Sequence, residues 1–95
     1  MKNIRRMILR KAIEHYGKGI QWAKAIEELS ELIRALARAL ARADDAENVA
    51  EEMADVRIML DQLELILDNH DLVREIESEK LMRLSERIHA ADEIS

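Results

Sequence analysis

Apolar residues recur at helical spacing along almost the whole chain, with polar residues between them. This period predicts four α-helices, over residues 2–16, 20–42, 46–68 and 72–90. Three short breaks separate the helices: Gly17-Lys18-Gly19, Ala43-Asp44-Asp45 and Asn69-His70-Asp71. The glycines favour a helix end, and Asp44, Asp45 or the 69–71 segment can cap the helix that follows. Since no linker or repeat divides the chain, we expect residues 1–95 to form one all-α domain.

The second and third predicted helices each carry an apolar stripe that we expect to face a core. On the second helix the stripe consists of Trp22, Ile26, Leu29, Leu32, Ile33, Leu36 and Leu40. On the third helix it consists of Val49, Met53, Val56, Leu60, Leu63 and Leu67, with Met59 beside it. Ile58 and Leu65 lie roughly opposite that stripe, so the third helix is expected to be surrounded by other helices or by another subunit.

Composition and charge narrow the function classes. Hydrophobic residues make up 48% and charged residues 37% of the chain, without proline, which is typical of a folded helical protein. The net charge of −5 is the opposite of what a nucleic-acid-binding protein usually carries. Without cysteine there is no disulfide or thiolate metal site. No segment resembles a signal peptide or reaches membrane-spanning length, so a cytoplasmic protein without a membrane partner is expected.

Acidic residues border or enter these apolar stripes. Glu28 and Glu31 lie one turn apart at the flank of the second-helix stripe. Glu52 falls inside the apolar arc of the third helix, and Asp55 lies at the edge of that arc. A single acidic pair is ordinarily a solvated face. Two pairs on consecutive antiparallel helices would bring four carboxylates together, and their repulsion favours a hard cation such as Mg²⁺ or Mn²⁺.

The same residues carry a resemblance to a known family. Glu27-Glu28-x-x-Glu31, followed by Glu52-x-x-Asp55, is similar to the E-E-x-x-E … E-x-x-D signature of MazG-like nucleoside triphosphate pyrophosphohydrolases. The runs AIEELSEL, AEEMADVRIMLDQLELIL and EKLMRLSERI resemble its short, single-domain members. The resemblance implies a four-helix MazG-like bundle that assembles as a homodimer or homotetramer. Glu27 matches the first acid of the signature, but its helical position turns it toward solvent, as for Glu51.

The implied activity is Mg²⁺-dependent hydrolysis of ribo- or deoxyribonucleoside triphosphates between the α and β phosphates, with Mn²⁺ as a possible substitute. The products would be a nucleoside monophosphate and pyrophosphate. The implied metal ligands are Glu28, Glu31, Glu52 and Asp55. Glu28 or Glu31 would also orient the attacking water or accept its proton, and the sequence leaves both open.

The implied substrate contacts are Lys80, Arg83, Gln21 and Trp22. Lys80 falls inside the apolar stripe of the fourth helix, where it either extends to solvent or meets a phosphate, and the family tail motif favours the phosphate. Arg83 is a second phosphate candidate, and Gln21 is expected to touch base or sugar. Trp22 either stacks on a nucleobase or packs in the core.

Two basic features and one rival function complete the expectations. Lys24 lies near Glu28 and can pair with it. The row Arg34, Arg38, Arg42 either pairs with acids of neighbouring elements or attracts the triphosphate. The rival to the enzyme is a non-catalytic helical bundle that keeps the fold as an interaction protein and has no metal dependence.

Overall fold

The computed structural model describes residues 3–42 and 46–94, and every element within those ranges is helical. The helices are α1 (Asn3–Tyr16), α2 (Lys18–Arg42), α3 (Ala46–Leu67) and α4 (His70–Ile94). The all-α class and the four predicted helices are confirmed for the described residues. The main differences are that α2 and α4 begin slightly earlier than predicted and that α4 continues beyond residue 90.

Gly17 makes the junction between α1 and α2. Its φ of +96° is the left-handed conformation that side chains disfavour. Its N–H donates a 2.8 Å hydrogen bond to the carbonyl of Ile13, which closes the end of α1. The predicted helix end is therefore correct, but it occupies one residue, because Lys18 and Gly19 already belong to α2.

A similarly short junction joins α3 to α4. Asp68 has a φ of +50°, and the Val73 N–H donates a 2.9 Å hydrogen bond to the carbonyl of Asn69, which opens α4. The side-chain Oδ1 of Asn69 is buried and accepts no hydrogen bond in the described part of the chain, so Asn69 begins the helix through its backbone. The predicted caps Asp44 and Asp45 lie outside the described residues.

α3 is the central helix, since it contacts α1, α2 and α4, and its contact with α2 is the most extensive. Gln21 of α2 faces Gln62 of α3. Ten residues later on α2, Glu31 faces Glu52, which lies ten residues earlier on α3. The two helices are therefore antiparallel. The expectation that α3 is surrounded is confirmed only in part, because α3 contacts three other helices but Met53, Ile58 and Leu60 are exposed on it.

The prediction that the apolar stripe of α2 faces the core of the chain is wrong. Apart from half-buried Leu32, all its members are exposed, from 38% for Leu29 to 90% for Leu40. The buried residues of α2 are instead small or polar: Gln21, Ala25, Glu28 and Ala35. Alanine permits close approach of two helices, and the polar residues find polar neighbours on α3. The larger stripe therefore lies to one side of the α2–α3 contact.

The core of the described chain is small, and its buried apolar residues are Leu9, Ala25, Ala35, Val56 and Met59. On α3 the predicted stripe is divided, because Val56 is buried whereas Met53, Leu60 and Leu67 are exposed.

α4 lies apart from this core. Residues 71–93 are all exposed, and α4 makes its helix contacts with α3. The radius of gyration is 17.0 Å, compared with about 13 Å for a compact chain of roughly 100 residues. Much of the apolar surface of the four helices is thus uncovered in a single copy. No described helix combines the length and apolar character needed to cross a membrane.

Candidate metal centre

Three carboxylates meet where α2 packs on α3. Glu28, Glu31 and Glu52 each offer one oxygen, and these oxygens all lie within 4.8 Å of one another. Glu28 and Glu31 come from successive turns of α2, and Glu52 approaches from the antiparallel α3. The structure therefore brings together three of the four acids that the sequence singled out.

Asp55 stands at the edge of this acidic cluster (Glu28, Glu31 and Glu52). It is exposed and is not among the three residues whose oxygens meet. Its charge nevertheless acts on the cluster, because it helps to raise the pKa of both Glu28 and Glu52. Asp55 thus lies outside the acidic cluster but close enough to influence its electrostatics.

Two carboxylate oxygens of the cluster are buried without a hydrogen-bond donor. They are Oε2 of Glu28 and Oε2 of Glu52, within the described residues. Glu28 is only 8% exposed, and Lys24 Nζ lies 3.5 Å from its other oxygen, Oε1. The predicted pairing of Lys24 with Glu28 is confirmed. A buried carboxylate oxygen without a partner is costly, and the three acids could hold a cation that would offset this cost.

Burial and like charge both act on these acids. Burial raises the pKa of Glu28 above its ordinary value of 4.5, and the charges of Glu31 and Asp55 raise it further, while Lys24 partly opposes them. Burial also raises the pKa of Glu52, followed by the charges of Glu31, Glu28 and Asp55. A divalent cation would favour the ionised forms of these acids. Because all the donors are hard carboxylate oxygens, the set fits Mg²⁺ or Mn²⁺.

Two arginine side chains lie near the acidic cluster. Glu31 and Glu52 line a cavity of about 240 Å³ together with Arg34, Arg38, Ala35 and Asn48. Within the described residues neither arginine forms an ion pair. The lining of the cavity thus combines two carboxylates with two arginines that lie one helical turn apart on α2.

The residues predicted to contact base or sugar take different positions. Gln21 is buried, and its Nε2 donates a 2.7 Å hydrogen bond to Oε1 of Gln62, so its amide is engaged between the helices. Trp22 is 45% exposed and does not pack in the core of its own chain.

The structure does not bring the predicted phosphate contacts on α4 to the acidic cluster within one chain. Lys80 lines a groove along α4 with Val73, Ile76 and Leu84, and none of the clustered acids lines that groove. Arg83 is exposed, and its carbonyl accepts a 3.5 Å hydrogen bond from Nε of Arg87.

Sequence reasoning missed Gln62 and Asn48. Both lie on the side of α3 that Glu52 occupies, Asn48 one turn before it and Gln62 further along, and this shared face was the available signal. By contrast, the outward positions predicted for Glu27 and Glu51 are confirmed, since both are exposed.

Comparisons with models of known protein families, with curated proteins and with solved structures give no significant match to this chain. The MazG-like resemblance therefore stays a prediction based on the residues that carry it.

Proposed function

We propose that the chain is a Mg²⁺-dependent nucleotide pyrophosphohydrolase of the MazG-like type, which cleaves nucleoside triphosphates between the α and β phosphates. The observation that carries the proposal is the meeting of Glu28, Glu31 and Glu52, with two of their oxygens buried and unpaired. Such atoms are stabilised by a cation. The positions of the three acids in the sequence, two on α2 and one on the antiparallel α3, also agree with the family signature.

The proposed roles follow from the positions of the side chains. Glu28, Glu31 and Glu52 would hold Mg²⁺, with Asp55 as the fourth, peripheral acid. When bound, Mg²⁺ supplies charge neutralisation at the triphosphate oxygens. Glu31 is half-buried and lines the cavity beside the arginines, whereas Glu28 does not line it. Glu31 is therefore the better placed of the two to accept a proton from water in that cavity.

Phosphate oxygens that are not on the metal need positive partners. Arg34 and Arg38 lie on the same cavity as the acids and have no ion pair in the described residues, so we assign them to this role. Lys80 and Arg83 would join them from a neighbouring subunit of a homodimer or homotetramer. A cytoplasmic location belongs to the same proposal.

One observation favours the rival function, a non-catalytic interaction protein. The exposed apolar residues of α2 and α4 are those of a helical module that binds other helices. The two functions differ in what they require of the acids, because an interaction module needs neither a metal ion nor ionised carboxylates at the α2–α3 contact.

Pyrophosphate release decides between the two functions. We expect the purified chain to release pyrophosphate from at least one member of a panel of the common ribo- and deoxyribonucleoside triphosphates with Mg²⁺, and from none with EDTA. Glu52→Gln should lower kcat/KM by about 100-fold or more, because it removes a metal ligand and not an outer-shell group. Glu51→Gln changes the neighbouring, solvent-facing acid and should leave the rate unchanged.

Absence of release from every triphosphate, together with a melting temperature that Mg²⁺ does not alter, would exclude the hydrolase. Equal activity of Glu52→Gln and Glu51→Gln would exclude the acidic cluster as its centre.

A further inference from the structure

The exposed apolar residues of α2 repeat with the spacing of a coiled-coil seam. We call them the α2 seam, and they are Trp22, Ile26, Leu29, Ile33, Leu36 and Leu40. The intervals between them alternate between four and three residues. This average of 3.5 residues keeps the side chains in one line along the helix, which is the line that a second helix packed alongside it can cover.

The residue types within the α2 seam also fit a two-helix contact. Isoleucine occupies positions 26 and 33, and leucine occupies positions 29 and 36. In parallel coiled coils, β-branched residues alternating with leucine in this way favour pairs of helices over larger assemblies.

Small side chains border the α2 seam on its free flank. Ala23, Ser30 and Ala37 follow the seam at seven-residue intervals and are exposed. On the other flank Ala25 is buried on the side of α3. A second helix can therefore approach the seam closely from the free flank, while α3 packs against the other flank of α2.

We propose that the α2 seam is the interface of a homodimer, in which it packs against the same seam of a second copy across a two-fold axis. A two-fold contact sets identical surfaces face to face, so a stripe that is apolar along its whole length is self-complementary. If each side chain contributes on the order of 100 Å², the seam offers roughly 600 Å² per copy, close to the ~800 Å² per partner of a standard interface. The small flanking residues add to this area.

This inference gives the homo-oligomer a specific face, and it does not depend on the hydrolase chemistry. A chain without any pyrophosphate release can still pair through the α2 seam. Conversely, a monomer can still bind Mn²⁺ at the acidic cluster. The two proposals therefore fail in separate experiments.

Sedimentation equilibrium tests the pairing directly. The chain has a mass of 11.0 kDa, so the dimer has twice that mass. Ile33→Asp places a charge in the seam at a residue that is 68% exposed, and it should give the monomer mass. Ile20→Asp is the matched control on the same helix, 63% exposed but outside the seam, and it should remain dimeric.

Trp22 is the single tryptophan of the chain and belongs to the seam, so its fluorescence reports pairing independently. We expect its emission to shift to longer wavelength on dilution of the wild type and in Ile33→Asp, but not in Ile20→Asp. A monomeric wild type, or an unchanged mass for a folded Ile33→Asp, would overturn the proposal.

Cysteine cross-linking covers the case in which Ile33→Asp does not fold. The chain has no cysteine, so Leu29→Cys and Ile33→Cys each introduce a single thiol into the seam, and Glu27→Cys introduces one on the outer side of α2. At least one seam thiol should form a disulfide-linked dimer much faster than Glu27→Cys. Equal rates for all three variants would also overturn the proposal.

Discussion

Gln21 and Gln62 are hydrogen-bonded to each other in the buried contact between α2 and α3, with 2.7 Å from Nε2 of Gln21 to Oε1 of Gln62. Each side chain is 4% exposed. A buried polar pair of this kind favours one alignment of two helices, because sliding either helix leaves both amides without a partner. The same alignment places Glu31 opposite Glu52, so the pair supports the geometry of the acidic cluster from a distance.

Replacing Gln62 by leucine should therefore destabilise the chain. The substitution leaves Nε2 of Gln21 buried without an acceptor, which costs about 1–3 kcal/mol in the free energy of unfolding. Urea denaturation followed by circular dichroism measures this loss. Mn²⁺ binding should weaken in the same variant, because the alignment that gathers the carboxylates is less favoured.

The double variant Gln21→Leu/Gln62→Leu is the control for this prediction. It removes donor and acceptor together, so its stability should recover relative to Gln62→Leu, since two apolar groups can replace a buried polar pair. If the loss of stability in the double variant equals the sum of the losses in Gln21→Leu and Gln62→Leu, the two amides are not coupled.

The acids of the cluster should make the metal-free chain less stable as the pH rises. The pKa of Glu28 and that of Glu52 are both raised above 4.5, so the folded chain holds these protons more tightly than the unfolded chain. Well below 4.5 both states are protonated, and the acids impose no penalty. As the pH rises through 4.5 and the raised pKa values, the folded chain must ionise acids that repel one another, so stability falls and then levels off.

Glu52→Gln should remove part of that penalty. In EDTA, its melting temperature relative to the wild type should increase as the pH is raised from about 4 to about 7. Glu51→Gln is the control for Glu52→Gln, because it changes an exposed acid outside the cluster. If Glu52→Gln instead loses stability equally at every pH, ionisation of Glu52 is not what limits the apo fold.

The positions of the helices could be predicted from the sequence, because local signals determine them. The helical period and the glycine at position 17 act over a few residues, and they located all four helices. The direction in which α2 faces could not be predicted in this way. Hydrophobic residues indicate a surface that must be covered, but not whether the same chain or a second copy covers it. The α2 seam was therefore mistaken for a core.

The acidic cluster could be predicted in part for a similar reason. Glu52 stood out because an acid within an apolar arc needs a partner, and its position on α3 depends on the helical period alone. The contribution of Arg34 and Arg38 depends on the alignment of α2 against α3, which is set by tertiary contacts such as the Gln21–Gln62 bond. Helical spacing placed the arginines on one row without showing that this row borders the acids.

Lys24 should compete with a metal ion for Glu28. Its Nζ lies 3.5 Å from Oε1 of Glu28, and it is about half exposed. Lys24→Met removes this positive charge from beside the cluster, so Mn²⁺ should bind more tightly, by up to about fivefold given the modest strength of exposed ion pairs. Isothermal titration with Mn²⁺, at the same pH for both proteins, measures the change.

Lys18→Met is the matched control for Lys24→Met, because Lys18 is exposed on the same helix and forms no ion pair within the described residues. It should leave the affinity for Mn²⁺ unchanged. Weaker binding in Lys24→Met would show instead that Lys24 holds the Glu28 carboxylate in its binding position.

Arg34 and Arg38 should bind the phosphates that the acidic cluster gathers through its metal ion. Each side chain lines the cavity shared with Glu31 and Glu52. A hydrogen bond to a charged group contributes about 1.5–3 kcal/mol, so Arg34→Gln and Arg38→Gln should each weaken pyrophosphate binding by about 10- to 100-fold. Isothermal titration of pyrophosphate into the chain with saturating Mn²⁺ measures this loss.

Arg42→Gln is the control for the arginine prediction, because it is the next member of the row and does not line that cavity. It should bind pyrophosphate as the wild type does. Mn²⁺ affinity, measured without pyrophosphate, should be no weaker in any of the three variants, since removing a positive charge cannot weaken the attraction of the acids for a cation. Suppose that the wild type binds Mn²⁺ but that Arg34→Gln and Arg38→Gln bind pyrophosphate as tightly as Arg42→Gln. The metal centre would then be supported, but the two arginines would not be its phosphate contacts. Lys80 and Arg83 of a second copy would be the next residues to test.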